Sequence, residues 1–441
     1  MDGTGRAPRR LIGRLDATML VVGSMIGSGI FIVSAESARL TGTGGRLLAA
    51  WAAAGALTLL AAFSCAELAT MFPEAGGPYV FFREAYGDLA GFLYGWTMAL
   101  VVQTGTIAAV CVAFAKFLGV LVPSVQGWAA RGVAVAALLV LSATNATGLK
   151  TGTRVQNALT LIKVAALTAL TLGCILSAAS PSSFSQDSPP SPVPPLLPTA
   201  FALALVGPAF SQSAWTNITF AGAEVKDPGR TFPFALLVGC ALVSGLYVLA
   251  NVGYLNVLGV AGVAAAPDGR VGTAAAERLL PGAGGATMAA AILVSTFGCA
   301  NGLVLSGARV FWALARDGFL PKFAAGLNAA GVPGAALFVQ AAWAACLVLS
   351  GTYSEILRYI VSVEFVVLVL LVAAVPILRR RRPEIPRPYR AWGHPVTTAL
   401  FLAAGSAVVV LLAVASPRTT WPGYLLVLLG VPVWLLRRRA A

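Results

Sequence analysis

The sequence predicts an all-α integral membrane protein of twelve transmembrane helices, built as a five-plus-five inverted repeat in which helices 1 and 6 are discontinuous. Three observations carry this prediction. Of 441 residues, 58% are hydrophobic and 10% are charged, where a soluble domain holds about 25% charged residues, and the mean hydropathy is +0.85. Apolar stretches near the roughly 20 residues of a spanning helix recur twelve times, with no period-two patterning of strands. Two of the stretches are interrupted by helix-poor residues, one at the head of each half of the chain.

The first half holds spans at 16–39, 47–71, 89–117, 129–148 and 156–178. Arg6, Arg9, Arg10 and Arg14 precede a first span that runs past any plausible cleavage site, so it is a membrane helix and not a removable leader. Its middle reads Gly23-Ser24-Met25-Ile26-Gly27-Ser28-Gly29, three glycines and two serines where a helix wants neither. Phe72 to Tyr79 is a Pro/Gly turn leading to a short amphipathic piece that ends near Tyr86. Segment 180–198, rich in Pro and Ser, is a stiff polyproline-like outer connector that divides the halves.

The second half holds spans at 199–222, 232–258, 286–308, 333–350 and 354–378. The sixth span is interrupted between Gly207 and Asn217, where Pro208 removes a backbone donor and small polar residues follow. Asp227-Pro228-Gly229 is a turn signal, and Arg316 to Pro321 ends the long eighth helix. Five is odd, so the halves 16–178 and 199–378 take opposite orientations in the membrane. Spans 395–416 and 421–436 lie outside the repeat, as scaffold or oligomer contact, and residues 1–441 form a single transmembrane domain.

The net charge of +14 needs no nucleic acid to explain it. With the amino terminus inside, twenty-one of thirty basic residues fall in inner segments, Arg379 to Arg382 and Arg437 to Arg439 among them. The positive-inside rule puts both termini in the cytoplasm of a cell (inner) membrane protein. Cys65, Cys111, Cys174, Cys240, Cys299 and Cys346 all fall in apolar segments, so neither a disulfide framework nor a disulfide-linked accessory subunit is expected. With one histidine, no metal-ligand cluster and no nucleophile elbow, the chain reads as neither an enzyme nor a cofactor protein.

Backbone freed at bilayer depth is tolerated only where it lines a cavity or binds a ligand, and broken helices of this kind face small solutes. At the first break, where Ser24 is also a binding candidate, the N–H groups of Met25, Ile26, Gly27, Ser28 and Gly29 lie at the positive end of the half-helix beginning near Ile30, a place for a carboxylate. The alternative is that Gly23 and Gly27 form a helix-packing pair. At the second break, carbonyls around Phe210, Ser211, Ser213 and Ala214 suit an ammonium group, with Phe210 or Trp215 closing over a side-chain pocket or simply packing. Donors on one side and acceptors on the other fit a zwitterion, hence an amino acid.

Lys163 stands about 12 Å into the fifth span, where a lysine costs on the order of 2.5–3.5 kcal/mol. It either faces the cavity, where its ammonium takes the place of a coupling cation, or snorkels to the surface. Glu364, mid-span in the tenth, is either a proton carrier or a neutral acid bonded to a neighbouring helix. Tyr247 and Asn251 share a helical face at i, i+4 and brace the site. Glu67 and His394 stand near inner helix ends, in solvated or structural places.

These residues resemble those of the amino acid–polyamine–organocation superfamily. The motifs are Gly23 to Phe31, Glu67 to Tyr79, Phe220 to Pro233, Ser295 to Pro321, and Leu378 to Arg390, the last resembling the L-amino-acid-transporter branch. The resemblance implies the leucine-transporter-type fold and secondary transport of amino acids as an exchanger or proton symporter. It implies that Phe210 is the gating aromatic, and that Lys163 stands in for a sodium ion near Ser295, Thr296 or Cys299. A polyamine or organic cation is the rival solute, and an amino-acid sensor that moves nothing is a further alternative. Ser213-Ala214 departs from the Gly-Gly or Asp-Gly common in relatives, which leaves the pocket and its substrate open. Segment 118–130 lacks the cysteine that joins animal relatives to a glycoprotein partner.

Overall fold

The computed structural model describes residue 10 and residues 12–74, 76–146, 152–177, 197–316, 318–320, 322–328, 332–350 and 353–440. Most of the connector at 180–198, and Asp317 and Pro321 of the turn after the eighth span, lie outside the described residues.

The described chain is helical: α1 (Arg14–Met25), α2 (Gly29–Ile32), α3 (Ser34–Thr41), α4 (Gly44–Met71), α5 (Pro78–Tyr86), α6 (Asp88–Thr97), α7 (Gln103–Leu121), α8 (Gly127–Ala146), α9 (Gly152–Leu176) and α10 (Leu197–Ser211). Then come α11 (Asn217–Phe220), α12 (Pro228–Ala264), α13 (Val271–Leu279), α14 (Gly284–Arg316), α15 (Gly334–Ser350), α16 (Tyr353–Arg381), α17 (Val396–Ala415), α18 (Pro417–Leu428) and α19 (Gly430–Ala440). Among the described residues the only strand-like pairing is an isolated parallel bridge between Ile12 and Val225.

Among the described residues, ten helical stretches are long and apolar enough to cross a membrane, and two shorter apolar helices, Pro198–Ser211 and Gly334–Ser350, accompany them. The first of the short pair is short because the chain leaves the helix after Ser211. Sequence punctuation sets several boundaries. Pro78 and Pro228 occupy the first turns of α5 and α12, where a missing N–H costs nothing. Glu277, at the end of α13, accepts the N–H groups of Gly282, ahead of α14, and Gly285, in its first turn. Those backbone bonds hold its carboxyl below the ordinary carboxylate range.

The bundle wears its apolar side chains outside. Leu161 and Ile162 on α9 are 60% and 51% exposed, while Lys163 beside them is 2% exposed. Buried polar residues such as Gln212, Asn251 and Gln340 share the interior. That is the burial order of a protein solvated by lipid. α12 packs against α1, α4 and α9, and α14 against α7, α9 and α15, with α1 held chiefly between α12 and α9. The third span carries a π-turn, Met98–Val102, that no feature of the sequence announces. Its freed carbonyls are met by Thr104 on Ala99 (2.9 Å) and by Trp343 on Leu100 (2.7 Å).

At the end of the bundle that carries Ile12, Glu67 is wholly buried. It takes both prongs of Arg379 (2.9 and 2.6 Å) and the N–H of Ala391 (2.7 Å). Arg387 approaches the same carboxylate at 3.6 Å and donates to the carbonyls of Leu378, Arg382 and Ile385. Of the two places open to Glu67, the structural one is occupied. Two arginines of the basic run therefore do more than set topology: they fasten the segment after α16 onto α4.

Candidate functional site

Both interrupted spans leave the helix inside the bundle. α1 stops at Met25, Ile26 is extended (φ −76°, ψ 96°), and helix resumes at Gly29. α10 stops at Ser211, residues 212–216 are non-helical, and α11 begins at Asn217. Ala214 sits in the second break at φ 68°, a left-handed conformation that costs a residue with a Cβ roughly 1–2 kcal/mol. The two breaks touch. A Cβ on Gly29 would lie 2.8 Å from Ser211 Cβ and 3.0 Å from Ser211 Cα, so only glycine permits the approach. One turn away, Gly207 of α10 does the same against Val33.

At the first break, side chains from three other helices cap the end of α1. Lys163 Nζ of α9 donates to the Gly23 carbonyl, Cys299 Sγ of α14 approaches the Ser24 carbonyl (3.8 Å), and Tyr247 Oη of α12 donates to the Met25 carbonyl (3.0 Å). Lys163 thus points inward and does not snorkel. Its ammonium is held against the end of α1 by that one carbonyl. Beyond the break, Ser34 donates to Asn251 (2.7 Å), whose amide donates to the Tyr247 carbonyl (2.8 Å). Tyr247 and Asn251, one turn apart on α12, therefore grip the chain on both sides of the interruption. Phe31 N–H returns to Ser28 and Val33 N–H to Gly29. No backbone carbonyl receives the N–H of Gly27, Gly29 or Ile30 among the described residues.

The second break is capped differently. Gln212 N–H reaches Pro208 and Ala209, and Ser213 N–H reaches Phe210 (3.0 Å), whereas no backbone carbonyl receives the N–H of Ala214, Trp215 or Thr216 among the described residues. Ser211 hydroxyl folds back on the Gly207 carbonyl (2.9 Å). The carbonyls of Ser211, Gln212 and Ser213 accept no backbone N–H among the described residues. Gln212, wholly buried, accepts from Ser244 (2.6 Å) and donates to the Trp51 carbonyl (3.4 Å), and Trp51 stands edge-on to Tyr247 at 5.5 Å. Phe210 and Trp215 are buried at 6% and 2%.

A cavity of about 300 Å³ lies against the start of the first half-helix beyond its break and the end of α10 before its own, lined by Ile32, Val33, Val206 and Gly207. It continues outward between Glu36, Arg39, Lys116, Asp268 and Arg358, at the end of the bundle opposite Ile12. At the Ile12 end the chain is closed: Ile12 N–H donates to Glu224 (3.0 Å) and Lys226 N–H to Ile12 (2.9 Å).

Of the candidates on the eighth span, Cys299 meets the first break. Thr296 spends its hydroxyl on the carbonyls of Ile292 and Leu293, and the Ser295 hydroxyl is buried without a hydrogen-bond partner among the described residues. Ser24, Met25, Ile26, Gly27, Ser28 and Gly29 all lie in or beside the first break, and Phe210, Ser211, Ser213, Ala214 and Trp215 in or beside the second. Glu364 stands apart, on a separate small cavity with Ser213 and Trp215. Sequence reasoning missed Gln212, Ser244 and Trp51. A lone glutamine inside an apolar span was the available signal, and its partners lie 32 and 161 residues away.

A family model described as amino acid permease matches residues 12–434. The chain is 27% identical over 438 residues to Asc-type amino acid transporter 1 of Mus musculus, covering 98% of this chain and 81% of that one. It is 29% identical over 448 residues to Large neutral amino acids transporter small subunit 2 of Homo sapiens, with the same coverage. It is 28% identical over 452 residues to Serine/threonine exchanger SteT of Bacillus subtilis (strain 168), covering 98% of both chains.

Proposed function

Because the chain belongs to the amino acid permease family, we propose that it moves neutral α-amino acids across a cell (inner) membrane by alternating access between its two broken helices. The observation that carries this reading is the complementarity of the breaks. The first leaves N–H groups unclaimed at Gly27 and Gly29, and the second leaves carbonyls unclaimed at Ser211, Gln212 and Ser213. A carboxylate on one and an ammonium on the other is the pairing an amino acid offers. Neither Gly23–Gly29 nor Phe210–Trp215 carries a charged side chain, which favours a zwitterion without further charge.

In this reading twelve spans form two inverted repeats, 16–178 and 199–378, followed by a pair at 395–436. Both termini are cytoplasmic, so the open cavity between Glu36 and Arg358 faces outward and the Ile12–Val225 pairing closes the inner side. Phe210 is the aromatic gate. Lys163 supplies a fixed positive charge at the first break in place of a sodium ion. The similarity to a serine/threonine exchanger supports exchange as one mode. The carrier works without a cofactor, and the absence of cysteine from 118–130 supports a carrier with no disulfide-linked partner.

Counterflow in proteoliposomes tests the reading. Labelled neutral amino acids are offered to vesicles with and without internal amino acid. Saturable uptake stimulated by internal amino acid is expected; no saturable flux across a broad panel would overturn it.

A further inference from the structure

The two breaks leave unused one half-buried charge-bearing group that stands mid-span. Glu364 lies on α16 about 12 Å along the helix from Ile356, in the most apolar of the ten spanning stretches. It forms no ion pair and no hydrogen bond among the described residues. Its side chain lines a cavity of about 20 Å³, shared with Thr58 of α4 and with Gln212, Ser213 and Trp215 of the second break. That volume admits about one water.

The ionisable groups around it offer no counter-ion. Tyr94 of α6 is within electrostatic reach, with Cys65 of α4 beside Tyr94. Tyr86 of α5 donates to the Leu370 carbonyl, and Tyr359 of α16 faces Gly423 of α18, the helix that also carries Tyr424. α10 and α17 bring no ionisable residue at all. On α16 the basic residues stand near the two ends, and Arg358 and Arg379 are engaged by Glu36 and Glu67. The charged residues of α4, α5, α7 and α18 likewise stand towards helix ends. A carboxylate placed mid-span without a cation is unfavourable in hydrocarbon, so in this conformation the group sits as the acid, with its proton bound.

The wall of the cavity is what connects that proton to transport. Gln212, Ser213 and Trp215 belong to the segment that must rearrange for the second broken helix to change its facing. Movement of that wall brings water to the carboxyl and lets the O–H bond break. We propose that Glu364 is the proton site of this carrier, taking a proton from water on the outer side and giving it to water on the inner side in step with the solute. The proposal rests on the transport reading above and names the ion coupled to it. Lys163, tied to the Gly23 carbonyl, then holds the first break and is not the group that exchanges its proton.

Purified full-length protein in proteoliposomes loaded with a pH-sensitive dye gives three readings: exchange of labelled amino acid at equal pH, uptake driven by an inward proton gradient, and acidification of the lumen when amino acid is added outside. The wild type is expected to show all three. Glu364→Gln is expected to keep exchange within about twofold while gradient-driven uptake and acidification fall at least tenfold, and Glu364→Asp is expected to restore acidification. Wild-type exchange without acidification overturns the proposal, and so does Glu364→Gln acidifying like the wild type. If neither variant exchanges although both purify as folded protein, Glu364 serves solute binding and the proton role is wrong. Absence of exchange by the wild type for every amino acid is a different failure: it removes the transport reading, and this proposal with it.

Discussion

At the first break, three consecutive carbonyls, those of Gly23, Ser24 and Met25, are met by side chains from α9, α14 and α12. At the second, the carbonyls of Ser211, Gln212 and Ser213 receive no backbone donor, and the one long polar side chain turns away toward Trp51 and Ser244. The same disruption of a helix in lipid is thus resolved in opposite senses. One break has the carbonyls that end its first half filled and the N–H groups of Gly27 and Gly29 open; the other has the N–H groups of Gln212 and Ser213 filled and the carbonyls of 211–213 open. Interrupted backbone becomes a selective surface when neighbouring helices satisfy one half of it and leave the other half for the solute.

That contrast can be attacked residue by residue. Lys163→Ala removes the charged donor from the Gly23 carbonyl, a bond worth about 1.5–3 kcal/mol. Transport is expected to fall about 10- to 100-fold while the purified protein keeps its elution profile; unchanged kinetics would mean the first break needs no cap. Gly29→Ala forces a Cβ against the Ser211 backbone and should cost about 1–3 kcal/mol of packing. Gly45→Ala, where a Cβ meets nothing within 4 Å, is its control. Equal transport by the two variants would separate the breaks that the structure puts in contact.

Smaller effects sharpen the picture. Tyr247→Phe deletes one neutral hydrogen bond to the Met25 carbonyl, about 0.5–1.5 kcal/mol, so half-saturation should rise about two- to tenfold with folding intact. A larger loss would show that the phenol touches the solute. Ala214→Gly relieves the left-handed alanine of the second break. After glycine's own entropic cost, a net gain of about 0.5 kcal/mol is expected in a detergent melt; a lower melting temperature would place the cost elsewhere.

How much of this the residues announced follows from locality. Glycine and serine clusters break a helix wherever they stand, so the interruptions at 23–29 and after Gly207 were readable from composition alone. The depth of Lys163 was readable from its position in an apolar run, and its inward aim follows from the exposure of Leu161 and Ile162 beside it. What the chain could not announce are pairings closed over long distances. Glu67 meets Arg379 across 312 positions, and Gln212 meets Trp51 across 161. Those depend on which helix faces which, and periodicity within one span does not encode that. The contact of Gly29 with Ser211 belongs to the same class, because a glycine's reason is often the neighbour it admits.

The claim that the breaks divide donor from acceptor is tested most directly by dissecting the solute. Competition against a labelled amino acid in proteoliposomes is measured for the intact amino acid, for the amine lacking its carboxylate, and for the acid lacking its amine. The account predicts competition by the intact amino acid alone, with each truncated analogue weaker by at least tenfold. Equal competition by the amine would leave the open N–H groups of Gly27 and Gly29 without a role, and equal competition by the acid would do the same for the carbonyls of 211–213; either result contradicts it.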